Sequence, residues 1–265
     1  MLLTLDGRRT YYDLAGPEDG PVVAMSHSLA SDSGMWGEQM APLLGGGFRV
    51  LRIDMRGHGG TEPGKGDYTM DQLGDDVAAV IRALAVKKVH FIGLSIGGML
   101  GQGFILRHGD LVSSLMLCDT LSGAAPGAKD AWVQRSAAVT KANSVSVVAE
   151  ATMERWFTDA FKSKNPERWK QIHATICATT PAGFLGSAAA IQTFDYASRL
   201  LTIKAPTLVV CGADDPGTPP AANKKLAEAI PGARYEQIPN ARHFPNVERA
   251  DAFNKIMMGW LASRR

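Results

Sequence analysis

Hydrophobic and polar positions along the chain follow two periods, one typical of strands and one typical of helices. Residues 2–15 alternate and contain the turn signal Asp6-Gly7, which predicts an opening β-hairpin. Further along, continuous apolar runs predict buried strands, and apolar positions three or four residues apart predict helices. The predicted strands are 21–27, 48–55, 89–92, 114–118, 206–211 and 233–238, and the predicted helices are 36–44, 69–85, 96–108, 221–230 and 247–261.

The order of these elements indicates an α/β fold, with a mostly parallel central sheet flanked by helices. Strands that alternate with helices are typical of a parallel sheet covered on both faces. The alternation stops at residues 121–201, which contain helical patterns and no convincing strand. We therefore expect an α/β core formed by 1–120 and 202–265. We expect 121–201 to form a helical cap over the carboxyl edge of the sheet, where open α/β sheets place their sites.

Composition and charge narrow the classes of function. The 265 residues carry a formal net charge of +2 without a long basic run, which argues against nucleic acid as a partner. The three cysteines, Cys118, Cys177 and Cys211, show neither a disulfide framework nor metal-ligand spacing. The first residues lack the features of a signal peptide, and no apolar run is long enough to span a membrane. We expect a soluble cytoplasmic protein that uses no metal and binds no membrane, and a homo-oligomer is compatible with the sequence.

The turn after the third predicted strand carries the strongest chemical signal in the chain. Residues 93–97 read GLSIG, a G-x-S-x-G motif in the strand–turn–helix setting that a nucleophile elbow requires. The turn is too tight for side chains at its flanks, so glycine stands at both ends of the motif. Such a turn exposes the serine hydroxyl and places the first amides of a helix beside it. The motif therefore predicts that Ser95 is a nucleophile.

A serine hydroxyl needs a neighbouring base, and the histidines of the chain supply the choices. In folds with this elbow the triad follows the chain order serine, acid, histidine, and only His173 and His243 follow Ser95. His173 lies within a predicted helix, where a surface or packing role is expected, and His27 and His58 are expected to be structural. His243 lies in a loop between the last predicted strand and helix, so it can turn towards the sheet edge. We predict that His243 is the base.

The acid of the triad is expected at the end of a strand between Ser95 and His243. Asp215 follows such a strand, where its carboxylate could accept a hydrogen bond from the imidazole and stabilise the imidazolium. Its neighbour Asp214 is then a solvated turn residue. Asp119, at the end of the preceding strand, is the alternative, because some enzymes of this fold take the acid from that position. The G-x-x-D spacing favours Asp215, and the sequence leaves the choice between the two positions open.

Two backbone amides are expected to stabilise the oxyanion that forms when Ser95 attacks a carbonyl carbon. One belongs to Ile96, the residue after the nucleophile, and the other comes from the loop after the strand 21–27. His27-Ser28-Leu29 occupies the start of that loop. We predict that Leu29 supplies the second amide.

These residues resemble the α/β-hydrolase superfamily over the whole length of the chain. Within it, the chain is most similar to the 3-oxoadipate enol-lactonases of aromatic catabolism, and Ser28, where most of the superfamily has glycine, fits the lactonase pattern. Two positions near the site depart from that pattern, because Ala30 replaces glycine and Phe244 replaces leucine. The matching stretches are 27–29 with Met35-Trp36, 54–59, 93–99, 155–158, 189–191, 214–220 and 241–248.

The resemblance implies cofactor-free hydrolysis of a small-molecule lactone or ester. The lactone that it implies, 3-oxoadipate enol-lactone, carries a carboxylate, which a cation or a hydrogen-bond donor should meet. Arg135 and Arg155 in the cap could bind a carboxylate through two parallel hydrogen bonds, although a solvated helix face explains both arginines more simply. Trp132 and Trp156 could line the pocket or pack between helices.

Three classes of function remain compatible with the predicted triad. The first is a lactonase or another hydrolase of small esters. The second is a different enzyme on the same triad, either a carbon–carbon bond hydrolase of ring-cleavage products or a cofactor-free perhydrolase. The third is a ligand receptor that retains the triad and uses the pocket only for binding.

Overall fold

The structure is a computed structural model that describes residues 1–125 and 127–264. Pro126, within the predicted cap, and Arg265, within the predicted core, lie outside the described residues. The strands are β1 (Leu2–Leu5), β2 (Arg8–Ala15), β3 (Val22–Ser26), β4 (Arg49–Ile53), β5 (Val89–Leu94), β6 (Val112–Cys118), β7 (Thr207–Gly212) and β8 (Arg234–Ile238). The α-helices are α1 (Gly37–Gly45), α2 (Met70–Ala83), α3 (Ile96–His108), α4 (Lys129–Ala142), α5 (Ala149–Trp156), α6 (Asp159–Lys164), α7 (Pro166–Ala178), α8 (Pro181–Thr193), α9 (Pro220–Ala229), α10 (Pro245–Glu248) and α11 (Ala250–Ala262).

The strands of the described chain form one eight-stranded sheet in the order β1-β2-β4-β3-β5-β6-β7-β8. β1 and β2 form the predicted hairpin, with Asp6 and Gly7 at its turn in the left-handed conformation (φ of 50° and 75°). β2 pairs antiparallel with β4, and the later pairings, from β4–β3 to β7–β8, are parallel. The chain therefore has the predicted α/β fold with a mostly parallel sheet.

The register of the parallel strands brings their carboxyl ends to one edge of the sheet. Ser26 of β3 pairs with Gly93 of β5, Leu94 pairs with Cys118 of β6, and Cys118 pairs with Val210 of β7. β5 and β7 are buried along their whole length, as their continuous apolar sequences predict. The loops that follow these strands therefore begin side by side, so residues far apart in sequence can form one site.

Helix α2 shows how local sequence sets the helix boundaries. Thr69 and Gln72 form a capping box at its start, in which each side chain bonds the backbone amide of the other residue. Its apolar face is buried and the helix packs against α3, as the helical spacing predicts. The helix ends at Ala83, before the predicted end, because Ala85 adopts a left-handed conformation with a φ of 54°.

Helices α4 to α8 occupy the chain between β6 and β7. Among the described residues of this segment, the strand-type pairing is limited to an isolated antiparallel bridge between Gly123 and Asp195. This bridge joins the beginning of the segment to its end. No single helix of the described chain is both long and apolar enough to cross a membrane, and α7 and α8, bent by 90°, meet that requirement only as a pair.

The prediction of one closing helix over 247–261 is wrong in its boundaries. The structure has two helices there, α10 and α11, because Arg249 between them leaves the helical conformation (φ of −130°, ψ of 50°). The helical region also begins earlier than predicted, at Pro245, which lacks an amide hydrogen and suits the first position of a helix. The chain after His243 therefore turns sharply before the closing helix α11 begins.

Candidate active site

The turn between β5 and α3 holds Ser95 in a backbone conformation that few side chains adopt. Its φ and ψ are 58° and −119°, outside the regions that most residues occupy. A Cβ atom on Gly93 would lie 2.1 Å from the Gly97 carbonyl oxygen, and one on Gly97 would lie 2.3 Å from the Ser26 carbonyl oxygen. Glycine at these two positions is therefore a steric requirement of the turn.

Hydrogen bonds from neighbouring elements hold this turn in place. The Ser95 amide donates to the Cys118 carbonyl oxygen over 2.9 Å, and the Thr120 hydroxyl donates to the Ser95 carbonyl oxygen over 2.7 Å. The Thr120 amide in turn donates to Asn223 Oδ1 over 3.0 Å. The Ser95 side chain lines a cavity, and its hydroxyl forms no hydrogen bond with another described residue.

His243 and Asp215 form a buried hydrogen-bonded pair in the loops after β8 and β7. His243 Nδ1 lies 2.8 Å from Asp215 Oδ2, and the two side chains are 8% and 0% exposed. Asp215 also accepts hydrogen bonds from the Thr218 hydroxyl (2.5 Å) and from the amides of Gly217 (2.8 Å) and Thr218 (3.1 Å). When Nδ1 donates to Asp215, the other ring nitrogen, Nε2, can accept a proton.

The surroundings of Asp215 keep its carboxylate ionised. Burial acts to raise the pKa of Asp215, but the His243 charge and the hydrogen bonds from His243, Thr218 and Gly217 outweigh burial, so the pKa lies below its ordinary value. An ionised Asp215 can orient the imidazole and stabilise the imidazolium that forms when the ring takes a proton. Its neighbour Asp214 is exposed.

Asp119, the alternative acid, occupies a different place in the same cluster. It is fully buried after β6 with a φ of 44°, and its Oδ1 accepts a hydrogen bond from the Gly212 amide over 2.8 Å. One oxygen from each carboxyl group and one His243 ring nitrogen lie within 4.8 Å of one another, a spacing that could also hold a metal ion. The hydrogen bond of the ring goes to Asp215 and accounts for this spacing, so we assign no ion to the cluster.

Ser95, Asp215 and His243 share one cavity with side chains of the helical segment between β6 and β7. The cavity has an empty volume of about 750 Å³, including the part open to solvent. Ile96 is fully buried and is not among the residues that line the cavity. The other predicted site residues all line the cavity, and they are Ser95, Asp215, His243, Leu29, Trp132, Arg135, Arg155 and Trp156.

The predicted oxyanion donors are the backbone amides of Leu29, which lines the cavity, and of Ile96, which follows Ser95. Ile96 is the first residue of α3, so its amide has no partner within the helix. Neither amide donates to another described residue. The loop before Leu29 is fixed by His27, whose Nδ1 donates to the Ser28 carbonyl oxygen (2.7 Å) and whose Nε2 accepts from the Met55 amide (2.9 Å). His27 therefore shapes its loop.

Two other histidines have the structural positions that the sequence suggests. Burial, together with the neighbouring His27 ring, lowers the pKa of His58 to about 3, so this fully buried ring stays neutral. His173, on α7, has a side chain that is 37% exposed and lies near Glu150 and Cys177. Of the histidines in the described chain, His243 is the one that lines the cavity.

Two arginines of the helical segment line the cavity outside any ion pair of the described chain, although the charge of Glu154 acts on Arg155. Arg135 stacks over the Trp132 ring at 4.5 Å, and Arg155 donates to the Thr152 hydroxyl over 3.3 Å. Neither arginine forms an ion pair with a described acidic residue, and Arg135 Nε is buried without a hydrogen-bond partner among the described residues. Burial and the charge of Arg155 lower the pKa of Arg135 to about 9, and burial also lowers the pKa of Arg155. Because an unpaired buried charge is costly, an anion in the cavity would stabilise both groups.

A family model and several relatives agree with this fold and these motifs. Residues 21–250 match the model of the alpha/beta hydrolase fold family. The chain belongs to that family. This α/β hydrolase is 30% identical to 3-oxoadipate enol-lactonase 1 of Acinetobacter baylyi, over 99% of this chain and 97% of that protein. The likeness to enol-lactonases that the motifs predict is confirmed.

Two further relatives show which hydrolases are similar to this chain. The enol-lactonase from Burkholderia xenovorans LB400, known from a crystal structure, is 34% identical in sequence to this chain. The two structures superpose with a TM-score of 0.93 over 99% of this chain and 100% of that chain. A protein named "Putative carbamate hydrolase RutD" from Variovorax paradoxus is 28% identical over 95% of this chain and 96% of that protein. Hydrolases that are named for different substrates therefore share the fold of this α/β hydrolase.

The structure gives a physical meaning to the two departures from the lactonase pattern. Ala30 is buried with a φ of 58°, a left-handed conformation that glycine adopts without strain. Phe244 is fully buried, stacks on Trp156 at 4.1 Å and contacts Phe157 edge-on at 5.5 Å. Phe244 does not line the cavity of this α/β hydrolase but supports Trp156, which does.

Sequence reasoning missed the polar residues that hold the loops of this α/β hydrolase together. Besides Thr218 at Asp215, Glu248 accepts hydrogen bonds from the Thr158 amide (2.8 Å) and hydroxyl (2.5 Å) and from the Arg242 amide (2.9 Å). Glu248 thereby ties the start of α6 to the loop that carries His243. Thr218 and Glu248 both lie in lactonase-like stretches, but Thr158 is 90 residues from Glu248, a separation that spacing does not reveal.

Proposed function

We propose that this α/β hydrolase cleaves a lactone or a small carboxylic ester with a triad of Ser95, His243 and Asp215, and that its substrate is 3-oxoadipate enol-lactone. One observation carries the proposal. A single cavity is lined on the sheet side by these three residues and on the helical side by two unpaired guanidinium groups. The likeness to proteins named 3-oxoadipate enol-lactonase supports the choice of substrate.

The proposed reaction is acyl transfer to water through a covalent intermediate on Ser95. His243 Nε2 takes the hydroxyl proton while Ser95 Oγ attacks the lactone carbonyl, and Asp215 stabilises the imidazolium. The tetrahedral intermediate then expels the enol oxygen, which His243 protonates. His243 next activates a water molecule, which releases the acyl group from Ser95. The hydrogen bond between nucleophile and base is often long until substrate is bound, which fits the unbonded Ser95 hydroxyl.

The amides of Leu29 and Ile96 are proposed to bind the oxyanion that forms in each step. They are fixed by the backbone before the reaction begins, so no reorganisation is needed as negative charge develops. In hydrolases of this type the removal of one such donor raises the barrier by about 3–4 kcal/mol. Two donors at Leu29 and Ile96 would therefore supply a large part of the catalysis.

The helical segment 121–201 is proposed to act as a cap that selects an anionic substrate. Arg135 and Arg155 line the cavity without acidic partners, and guanidinium groups bind carboxylates through paired hydrogen bonds. The substrate carboxylate would lie between the arginines while its lactone carbonyl faces Ser95. Trp132 and Trp156 would form the apolar walls between the two ends.

A carbamate is the second candidate substrate, favoured by the relative named "Putative carbamate hydrolase RutD". A carbamate could use the same serine, base and oxyanion donors. Two guanidinium groups without acidic partners on the helical side of the cavity suit a substrate that carries a carboxylate away from the reacting carbonyl. We therefore rank the enol-lactone first.

A substrate panel tests this function and the role of the arginines together. The panel contains 3-oxoadipate enol-lactone, a neutral lactone of similar size, a neutral aryl ester, a carbamate, and a vinylogous diketone for carbon–carbon cleavage. We expect the enol-lactone to have the highest kcat/KM. We expect Arg135→Ala to raise its KM about tenfold to a hundredfold, because a hydrogen bond between charged groups contributes about 1.5–3 kcal/mol.

Matched controls separate substrate recognition from overall charge. Lys141→Ala removes one positive charge from the exposed part of the same helix, α4, and should leave the KM for the enol-lactone unchanged. The neutral lactone should lose little affinity in either variant. Equal effects of Arg135→Ala on the charged and neutral lactones would contradict carboxylate binding, and a carbamate preference would move the proposal to the second candidate.

A further inference from the structure

Asp119 and Asp215 place two carboxyl groups side by side in the interior of the protein. Asp119 is fully buried, Asp215 is 3% exposed, and one oxygen of each carboxyl group lies within 4.8 Å of the other and of a His243 ring nitrogen. Two ionised carboxylates have acceptors only, so a hydrogen bond between them requires that one of them carries a proton. Two like charges this close together in the interior repel each other, so a single shared proton would stabilise the pair.

The hydrogen-bond partners decide which of the two groups holds the proton. Asp215 accepts four hydrogen bonds, from His243, Gly217 and both donors of Thr218, and these stabilise its ionised form. Asp119 accepts one hydrogen bond, at Oδ1 from the Gly212 amide. Its Oδ2 is buried and accepts no hydrogen bond from the described residues. A buried oxygen that lacks donors, in a carboxyl group this close to an ionised one, is the favourable place for the proton.

The other titratable groups around Asp119 are neutral, and the Cys211 thiol lowers the Asp119 pKa by less than burial and Asp215 raise it. The thiols of Cys118 on β6 and Cys211 on β7 are held neutral, because burial and the nearby acids raise their pKa values. On β8, burial raises the pKa of Tyr235 to about 12, so its phenol is neutral as well. Burial and the charge of Asp215 raise the pKa of Asp119 well above its ordinary value.

We propose that Asp119 is a positioning residue that keeps its proton in the folded protein and donates it in a hydrogen bond from Oδ2 to the Asp215 carboxylate. The consequence for the reaction rests on the proposed function. With Asp119 neutral, the imidazolium of His243 faces one net negative charge during each proton transfer. Two ionised carboxylates would favour imidazolium over imidazole, and an imidazolium cannot take a proton from Ser95.

Equilibrium unfolding tests the proton without any assay of activity. Asp119→Asn keeps an acceptor for the Gly212 amide and a neutral donor for Asp215, and asparagine tolerates the left-handed φ of 44°. Because the folded pKa of Asp119 is raised, the wild type takes up a proton on folding above the ordinary aspartate pKa. Its stability relative to the variant should therefore fall as the pH rises.

The size of the pH dependence is fixed by the number of protons that folding takes up, here one. From about pH 5 to about pH 7, the ratio of the unfolding constants of wild type and Asp119→Asn should rise about tenfold per pH unit. The exposed control Asp214→Asn should show no such slope. A ratio for Asp119→Asn that does not change with pH would overturn the proposal. If the variant does not fold, infrared spectra of the wild type at neutral pH should still contain a carboxylic acid carbonyl band, and its absence would count against a protonated Asp119.

Kinetics test the positioning role separately. Asp119→Gly removes the donor without backbone strain, so it should lower kcat and shift the acid limb of the pH profile, while Asp119→Asn should restore both towards wild type. Equal kinetic defects in the two variants would contradict the hydrogen bond to Asp215. If turnover proves independent of Ser95, the proposed function fails, but the slope of stability with pH remains a valid test of the proton on Asp119.

Discussion

At the scale of single residues, the carboxylate of Asp215 decides what the His243 ring can do. Its hydrogen bond to Nδ1 fixes which ring nitrogen carries the proton and leaves Nε2 directed to other partners. Thr218 and Gly217 hold the carboxylate in turn, so its orientation does not depend on the ring alone. Ser95 lies in the strained elbow turn. Its hydroxyl becomes a nucleophile only when a neutral imidazole with a free Nε2 accepts its proton.

Replacing Asp215 with asparagine tests whether the His243 ring depends on the Asp215 carboxylate. Asp215→Asn keeps the size of the side chain but removes its charge and allows the wrong tautomer of His243. We expect kcat for the enol-lactone to fall by a factor on the order of 10⁴ with little change in KM, the effect seen when the acid of a serine triad is altered in this way. The adjacent Asp214→Asn, at an exposed position, should retain wild-type kcat, and a loss in Asp214→Asn that matches Asp215→Asn would contradict the assignment.

Sequence patterns lead to specific predictions for some of these residues and leave others open. Ser95 and His243 follow from a tight turn with fixed steric needs and from chain order, both of which are local or sequential properties. Asp215 and Asp119 both stand at strand ends, so the sequence cannot separate an acid that bonds the ring from one that lies behind it. The difference depends on donors such as Thr218 and the Gly212 amide, whose positions only the folded loops determine.

At the scale of elements, the loop that carries His243 is held between α5 and α10. Arg242 donates to the carbonyl oxygens of Glu154 and Phe157, and Glu248 accepts from Thr158 and from the Arg242 amide. Phe244 adds an apolar contact by stacking on Trp156. These contacts join the loop of His243 to α5, which carries Arg155 and Trp156, so a change in the loop should alter the position of α5.

Phe244→Leu tests this coupling and restores the residue usual in the lactonase pattern. Loss of the stack on Trp156 and of the edge contact with Phe157 should lower the free energy of unfolding by about 1–2 kcal/mol. It should also raise KM for the enol-lactone severalfold, because Trp156 lines the cavity and loses its support. Chemical denaturation and steady-state kinetics measure the two effects.

Phe161→Leu is the matched control for that variant. Phe161 lies on α6, in the helical segment between β6 and β7, and stacks on Phe157 at 4.5 Å. It does not line the cavity. It should lose a similar amount of stability and keep the wild-type KM. If Phe244→Leu lowers stability but leaves KM unchanged, the stack of Phe244 on Trp156 does not shape the cavity.

At the scale of the whole molecule, the sheet and the helical segment between β6 and β7 contribute different parts of the site. The sheet edge supplies the proposed triad and the proposed oxyanion donor Leu29, and α4 and α5 supply the arginines and tryptophans. The alternation of strands and helices, interrupted by a stretch of helices alone, predicts the α/β fold and this helical segment. It does not predict the cavity, because a helix such as α4 buries only Val139 among its described residues and gives little amphipathic signal.

Covalent labelling of Ser95 tests the central claim most directly. A fluorophosphonate reacts with a serine only when a base activates the hydroxyl and an oxyanion site binds the product. Peptide mass spectrometry of the labelled wild type should locate a single adduct on Ser95, and labelling should be much slower in Asp215→Asn and absent in Ser95→Ala. An unlabelled Ser95 in a protein that still hydrolyses the lactone, or an adduct on another residue, would contradict the account.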